Sequence, residues 1–181
     1  ANQGPSALMA QALIGCGFGA PTVITVRNYK QLGMDMPFYF NHGVGSKQFI
    51  DGSGGAAEGV RVPVAAVLVA DQLSDSDPQK KVALDYINAY EKMYGSKPAT
   101  FGANVYDAGL LLTRAVPEAA KRGKPGTPAF RAALRDALEG TRELVGTQGV
   151  YNMSPADHSG FDERGRVLIT VKDGNWRLLK D

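Results

Sequence analysis

His42 stands directly after the apolar stretch Phe38–Phe40 and is one of only two histidines in the chain. An imidazole can donate or accept a hydrogen bond, transfer a proton or bind a metal, so this residue is a candidate for several kinds of chemistry. Taken alone, a histidine at the end of a strand is more often a structural hydrogen-bonding residue. A zinc site takes three or four ligands, and one cysteine with two distant histidines does not supply them. We therefore expect no metal site.

A glycine-rich turn, Gly15-Cys16-Gly17-Phe18-Gly19-Ala20, fits the loose dinucleotide fingerprint G-x-G-x-x-G/A. In a dinucleotide site an acidic residue ends the next strand and reaches the ribose, but Asn41 and His42 occupy that place and Asp35 precedes the strand. A plain tight turn is one alternative. The other is that free N–H groups in the turn and at the start of the next helix attract an anion, such as a ligand carboxylate. We expect no cofactor.

A second group of reactive residue types lies in Ser154-Pro155-Ala156-Asp157-His158, where serine, aspartate and histidine are close in sequence. Catalytic triads assemble in space and have no local signature of this kind. The sequence also lacks the nucleophile elbow G-x-S-x-G and the phosphate loop G-x-x-x-x-G-K-[ST]. We therefore predict no catalytic residue and no enzyme activity.

Asn104, Tyr106 and Asp107 are polar residues in the otherwise apolar segment 101–116. Polar groups on an apolar element normally form hydrogen bonds within the core, which is the first interpretation. The alternative is that these polar side chains face a ligand, and Asn104 is the one that we expect in the ligand site.

Length, charge and hydropathy restrict the class of protein. The 181 residues are 44% hydrophobic and 21% charged, as in globular proteins of one domain or two small ones. The net charge of +2 comes from interleaved signs without a basic run, so nucleic acid is not expected as a partner. No apolar stretch approaches the roughly 18 residues of a membrane span, and no signal-peptide pattern opens the chain, which favours a soluble protein whose export signal is removed or never existed.

Strand and helix patterns alternate in the first part of the chain. Short apolar runs predict strands at residues 12–16 and 38–40, with a helix from Pro21 to Gly33 between them. Residues 58–69 have an extended pattern in which Pro63 indicates an edge or a bend. This order predicts an α/β fold with a parallel sheet, in which ligands bind at the carboxyl ends of the strands.

Three helices and a hairpin are predicted in the second part. The helices cover residues 78–94, 101–116 and 128–139, and Asp77 and Thr127 cap the first and the third. The middle helix is apolar on almost every face, which predicts a helix enclosed within the protein and ended or kinked by Pro117. The pair Asp173-Gly174 predicts the turn of a closing β-hairpin.

Several motifs resemble, in order and spacing, those of the type I periplasmic solute-binding proteins. These motifs are Phe38–Val44, Gly55–Val60, Ala70–Leu73, Tyr106–Ala108, Gly149–Pro155 and Phe161–Asp162. The chain is similar in particular to the branched-chain amino-acid type that serves ABC importers, over residues 12–179. The resemblance implies a two-lobed α/β architecture with parallel sheets flanked by helices, which closes on a small ligand without performing chemistry on it.

By this resemblance, residues 1–66 belong to one α/β lobe, residues 67–145 to the other, and residues 146–181 form the crossover and the closing hairpin. The chain resembles only the later half of the family's length, so the fold is expected to be incomplete. Either the chain is a fragment, or it pairs with a second chain that supplies the missing half. The expected location is the periplasm, and the expected partner is the permease of an ABC transporter.

His42 departs from the pattern of the family. Amino-acid binders of this type carry a glutamate at the corresponding position, where it accepts hydrogen bonds from the ligand ammonium. An imidazole lacks that fixed negative charge but can donate a hydrogen bond to a carboxylate. We therefore expect an organic or aromatic acid as ligand, with branched-chain amino-acid binding and a dinucleotide-binding enzyme domain as alternatives. The expected ligand-binding residues are Phe18, Gly19, Phe40, Asn41, His42 and Asn104.

Overall fold

The computed structural model describes residues 10–180, which form two compact units. The first unit contains the described residues up to Val64 together with those from Val167 onward, and the second unit is Ala65–Arg166. Within residues 10–180 no helix combines the length and the apolar character needed to cross a bilayer. The assignment of residues 1–66 and 67–145 to the lobes of a complete fold stays a prediction.

A five-stranded sheet, in the order β1-β2-β3-β6-β7, forms the centre of the first unit. The strands β1 (Leu13–Gly15), β2 (Phe38–Phe40) and β3 (Arg61–Val64) run parallel to one another. The strands β6 (Val167–Lys172) and β7 (Asn175–Leu178) continue the sheet in antiparallel pairing. The predicted α/β class is confirmed, as are the first two strands and the hairpin. At its turn, Asp173 and Gly174 have φ values of 53° and 67°, which a type I′ turn requires.

Helices and short 3₁₀ segments cover this sheet. The helix α1 (Ala20–Gln31) was predicted, whereas α2 (Lys47–Ser53) and the 3₁₀ segments His42–Val44 and Gly54–Ala57 were not. The core between them is aromatic, because Phe38 lies 4.8 Å from the ring of Tyr29 and 4.5 Å from that of Phe40. These rings fix the position of β2 and hence of the loop that follows it.

The prediction for residues 58–69 is wrong in part. Only Arg61–Val64 is a strand, and Ala66–Gln72 forms 3₁₀ turns in which most side chains are buried. Pro63 lies in β3, which has neighbours on both sides, and not in an edge strand. The proline is tolerated because β2 pairs with β3 only through Tyr39 and Arg61, so Pro63 lies beyond that pairing.

Glu58 connects the segment before β3 to the hairpin. Its two carboxylate oxygens accept hydrogen bonds from the backbone N–H groups of Asp173 at 3.0 Å and Gly174 at 2.7 Å. We expect Glu58→Ala to lower the free energy of unfolding by about 1 kcal/mol, because two donors in the turn lose a charged acceptor. Urea unfolding followed by circular dichroism measures this change. Glu118→Ala, which removes an exposed pair with Lys121, is the control and should change stability less.

The second unit consists mainly of helices. They are α3 (Pro78–Tyr94), α4 (Thr100–Ala120) and α5 (Pro128–Glu139), and a two-stranded ladder pairs β4 (Leu144–Val145) with β5 (Val150–Tyr151). The predicted caps are confirmed, because Asp77 accepts from the N–H of Gln79 and Thr127 from that of Phe130. A short 3₁₀ segment, Glu163–Gly165, closes the unit.

Helix α4 differs from its prediction in two respects. It continues through Pro117 to Ala120, and it is not enclosed by the described residues. One side packs within the unit through Ala103, Asp107 and Ala115, whereas Val105 on another side is 74% exposed. The prediction of an enclosed helix is therefore wrong for the described residues, which leave Val105 and its neighbours on that side exposed.

The carboxylate of Asp107 is fully buried and organises the loop between β4 and β5. Its Oδ1 accepts from the backbone N–H and the hydroxyl of Thr147, at 2.8 and 2.9 Å. Its Oδ2 accepts from the backbone N–H of Gln148 at 2.9 Å and from the hydroxyl of Tyr151 at 3.0 Å. The expectation that a polar group of this segment forms core hydrogen bonds is confirmed for Asp107.

Candidate functional site

Two loops meet at the carboxyl ends of the parallel strands β1 and β2. The backbone N–H of Gly17 donates to Oδ1 of Asn41 at 3.3 Å, and the N–H of Asn41 donates to the carbonyl oxygen of Gly15 at 3.2 Å. The first loop is the glycine-rich turn that leads into α1, and the second carries His42. The carboxyl edge of a parallel sheet is where α/β proteins bind ligands, so we call this pair of loops the β1–β2 loop site.

Gly43 allows the two loops to approach each other closely. A Cβ atom at this position would lie 2.6 Å from the carbonyl oxygen of Gly17 and 3.2 Å from Cβ of Phe18. Both distances are shorter than ordinary van der Waals contacts, and the nearer atom belongs to the backbone. Glycine is therefore required here by space.

His42 is the first residue of the 3₁₀ segment that follows β2, and it is exposed. Asn41, just before it, is half-buried and uses its side-chain oxygen to hold Gly17. Both residues were predicted to lie in a ligand site. In the structure Asn41 ties the loops together, and His42 lies on the accessible side of the same loop.

The start of α1 forms the other wall of the β1–β2 loop site. Gly19 is the N-cap residue with φ of 69°, and no side chain caps the helix. The first turn also has no acidic residue. An uncapped helix start has N–H groups and a positive partial charge directed outward, which favour an anion. Phe18 beside it is 76% exposed.

Phe40 lies beneath the site and is 2% exposed. Its ring packs 4.5 Å from Phe38 and 5.8 Å from Phe49, and it fills the space next to Gly15. Most of the ring surface is therefore used in the core of the first unit, where it supports the end of β2.

Asn104 lies on α4 in the second unit and is exposed. Asp107, three residues further along the same general face of the helix, is directed into the core, whereas the Asn104 residue is exposed. A ligand contact for Asn104 stays a prediction.

The dinucleotide alternative gains no support from the position of Asp35. This residue precedes β2, and the register pairs Leu13 with Phe38 and Gly15 with Phe40. Asp35 therefore lies toward the amino ends of the strands, and the glycine-rich turn lies at their carboxyl ends. A carboxylate at that end of the sheet is not placed for a ribose held by the turn.

The Ser154–His158 segment forms a turn held by its own hydrogen bonds. Oδ1 of Asp157 accepts from the N–H groups of Ser159 at 2.9 Å and Gly160 at 3.0 Å. Nε2 of His158 lies 3.0 Å from Oε1 of Glu139. Asp157 and His158 thus each contact a group that does not belong to a serine–histidine–aspartate triad. Among the described residues no group of three or more His, Cys, Asp or Glu is placed to hold a metal ion.

The features that join the site to the fold have weak local signals in the sequence and were not predicted. The hydroxyl of Ser46 caps α2 by accepting from the N–H of Phe49, and Arg61 donates to the hydroxyl of Tyr39 at 2.8 Å. Ser46 was a recognisable N-cap type, but the helix after it has only seven residues and no charged partner at its third position. The role of Gly43 depends on a contact with a loop distant in sequence, which no local pattern reveals.

Comparisons with known proteins identify the family. A model of the periplasmic binding protein family matches residues 6–174, and no curated protein matches the chain. Rp1789 of Rhodopseudomonas palustris CGA009 is 35% identical with a TM-score of 0.90, and an extracellular ligand-binding receptor of Rhodopseudomonas palustris HaA2 is 34% identical with a TM-score of 0.91. In both cases the match covers 97% of this chain and 49% of the relative.

A third solved structure comes from Rhodospirillum rubrum, and its name assigns it to a branched-chain amino acid ABC transporter. It is 29% identical with a TM-score of 0.69, over 96% of this chain and 46% of its own. The present chain thus spans about half the length of the relatives that it matches. The family model covers most of the sequence, and the fold agrees with that of the matching half of Rp1789. The chain belongs to the periplasmic binding protein family, as the motifs from Phe38–Val44 onward indicated.

Proposed function

We propose that this chain is part of the solute-binding component of an ABC importer and binds a small carboxylate-bearing ligand, an organic or aromatic acid, without chemistry. Membership of the periplasmic binding protein family supports the solute-binding role and a location in the periplasm. The names of the relatives support a link to an ABC transporter and to an extracellular ligand-binding receptor, and the permease of such a transporter is the proposed partner. The class of ligand is argued from the β1–β2 loop site.

The observation that carries the proposal is that the two loops of this site have no acidic side chain. His42 is exposed on one loop, the uncapped start of α1 lies on the other, and the loops touch through Gly17 and Asn41. Neither Gly15–Ala20 nor Asn41–Ser46 contains an acidic residue. A ligand ammonium would find no carboxylate in these loops, whereas a ligand carboxylate would find N–H donors and a positive partial charge.

Each predicted residue has a different part in this proposal. The imidazole of His42 donates to the ligand carboxylate, and the backbone N–H of Ala20 provides a further donor. Pro21 has no N–H, and the N–H of Thr22 donates to the carbonyl oxygen of Gly19. Phe18 offers an exposed aromatic face to the apolar part of the ligand. Asn41 and Phe40 position the loop from behind, since one holds Gly17 and the other is buried under β2. Asn104 is proposed as a separate contact on α4.

Isothermal titration of the chain with benzoate and with leucine tests this proposal. We expect benzoate to bind more tightly, and His42→Ala to weaken it by about 10-fold or more, because a hydrogen bond to a charged group is lost. His158→Ala is the matched control, since His158 is exposed in the second unit and contacts Glu139. Tighter binding of leucine that His42→Ala abolishes would refute the acid and favour an amino-acid ligand.

Branched-chain amino-acid binding is the second candidate function. The name of the Rhodospirillum rubrum relative, which is 29% identical, favours it. An amino acid would still place its carboxylate at the uncapped start of α1, but its ammonium would need an acceptor outside the two loops. The same titration separates the candidates, because leucine would then bind more tightly than benzoate.

A further inference from the structure

The turn of the closing hairpin contains a dipeptide with a chemistry of its own. In Asp173-Gly174 the backbone nitrogen of the glycine can attack Cγ of the aspartate, because glycine has no side chain to obstruct the approach. A bond forms between this nitrogen and Cγ, and the hydroxyl of the protonated carboxyl group leaves as water together with the proton of the nitrogen. Water then opens the resulting succinimide ring at either carbonyl, which yields aspartate or isoaspartate.

The attack requires the peptide between Asp173 and Gly174 to rotate out of its turn conformation and its nitrogen to release a proton. The structure holds this peptide at both of its polar atoms. The N–H of Gly174 donates to Oε1 of Glu58 at 2.7 Å, and the carbonyl oxygen of Asp173 accepts from Nδ2 of Asn175 at 2.8 Å. Hydrogen bonds to a charged acceptor are among the strongest in proteins, so the nitrogen is restrained from attacking.

Glu58 is itself fixed in place by the ladder beside it. The N–H of Gly59 donates to the carbonyl oxygen of Val171 at 3.0 Å, and the N–H of Val171 donates to that of Val60 at 3.1 Å. The second carboxylate oxygen of Glu58 accepts from the N–H of Asp173 at 3.0 Å. The carboxylate thus binds two successive N–H groups of the turn, and we call this arrangement the Glu58 clamp.

A second Asp-Gly pair, Asp51-Gly52, is restrained in another way. It lies within helix α2, whose regular backbone fixes the peptide, and Nζ of Lys47 lies 2.6 Å from Oδ1 of Asp51. Glu58 has no part in these contacts. The same dipeptide therefore occurs in the chain with and without the clamp, and Asp51 is an internal control for any variant at Glu58.

We propose that Asp173 is a site of isoaspartate formation and that the Glu58 clamp suppresses this reaction. Opening of the clamp then sets the rate, because the reactive conformation exists only while the turn is released. Isoaspartate adds a methylene group to the backbone of the turn and displaces β7 along β6. Trp176 of β7, whose ring stacks on that of Phe49 at 6.3 Å, would move with it. The inference is independent of the proposed ligand.

Prolonged incubation of the purified chain at neutral pH tests the clamp. After digestion, labelling by isoaspartyl methyltransferase and chromatography against synthetic standards measure isoaspartate in the peptides that contain Asp173 and Asp51. We expect Glu58→Ala to accelerate its formation at Asp173 by about 5-fold or more, because loss of the charged acceptor raises the population of the open turn. The rate at Asp51 should not change. Glu118→Ala is the matched control, since it removes an exposed glutamate paired with Lys121.

Two milder variants provide the test if Glu58→Ala does not fold. Glu58→Gln keeps one acceptor oxygen, and Asn175→Ala releases only the carbonyl side of the peptide. Both should accelerate the reaction at Asp173 relative to the parent chain and leave Asp51 unchanged.

Three results would overturn the inference. The first is an equal rate at Asp173 in the parent chain and in the variants. The second is a slower rate in Glu58→Ala, because the carboxylate would then promote the attack as a base on the N–H of Gly174. The third is an equal acceleration at Asp173 and Asp51, because opening of the whole unit, and not of the clamp, would then control the chemistry.

Discussion

Replacement of Asp107 by alanine is expected to destabilise the second unit by about 3–5 kcal/mol, which is comparable with the loss of one partner from a buried charged network. Asp107 is 0% exposed and accepts from Thr147, Gln148 and Tyr151. Without the carboxylate, two backbone N–H groups and two hydroxyls remain buried with no acceptor from this residue. Urea unfolding monitored by far-ultraviolet circular dichroism gives the change in free energy.

Two variants separate the role of the network from that of charge alone. Tyr151→Phe removes a single donor and should cost about 1 kcal/mol. Asp85→Ala removes an exposed carboxylate paired with Lys81 and should change stability by less than about 0.5 kcal/mol. Burial and the nearby Asp107 raise the pKa of the Tyr151 hydroxyl far above its usual value, so this donor stays protonated throughout the experiment. An Asp107→Ala variant as stable as Asp85→Ala would contradict the account.

Gly43→Ala is expected to lower stability by about 1–3 kcal/mol and also to weaken acid binding. The new methyl group would lie 2.6 Å from the carbonyl oxygen of Gly17, so one of the two loops must move. That movement would disturb the hydrogen bond from Gly17 to Asn41 and change the distance between His42 and the start of α1. Thermal unfolding and titration with benzoate, carried out on the same preparation, measure the two effects.

Gly55→Ala is the matched control for this substitution. No atom lies within 4 Å of a Cβ built at Gly55, and its φ is not positive. Its stability and benzoate affinity should stay close to those of the parent chain. If Gly43→Ala bound benzoate as tightly as Gly55→Ala, the contact between the loops would be irrelevant to the ligand, and the site would have to lie elsewhere.

The two substitutions act at different levels of the molecule. Asp107 holds a loop within the second unit and contributes to folding, whereas Gly43 keeps two loops in contact at the carboxyl ends of β1 and β2. A loss of stability without a loss of affinity is expected for a residue of the first kind. The combination of both losses is expected only for a residue that positions the binding loops.

Local patterns in the sequence were sufficient for the elements whose ends carry strong signals. Asp77-Pro78 and Thr127-Pro128 predicted two helix starts, and Asp173-Gly174 predicted the hairpin turn, because caps and type I′ turns depend on the chemistry of adjacent residues. The short helix after Ser46 was missed, since seven residues give too little periodicity. The motifs from Phe38–Val44 onward also carried enough information to identify the family, which the family model confirms.

The tertiary structure decided what depends on contacts between distant residues. Phe40 reads in sequence as an available aromatic ring, but packing against Phe38 and Phe49 buries it. Helix α4 reads as enclosed, yet Val105 on it is 74% exposed among the described residues, because an apolar pattern does not show which contacts a helix makes. The sequence thus determined the residue types at each strand end, and the packing of the loops determined which of them hold the backbone and which remain exposed.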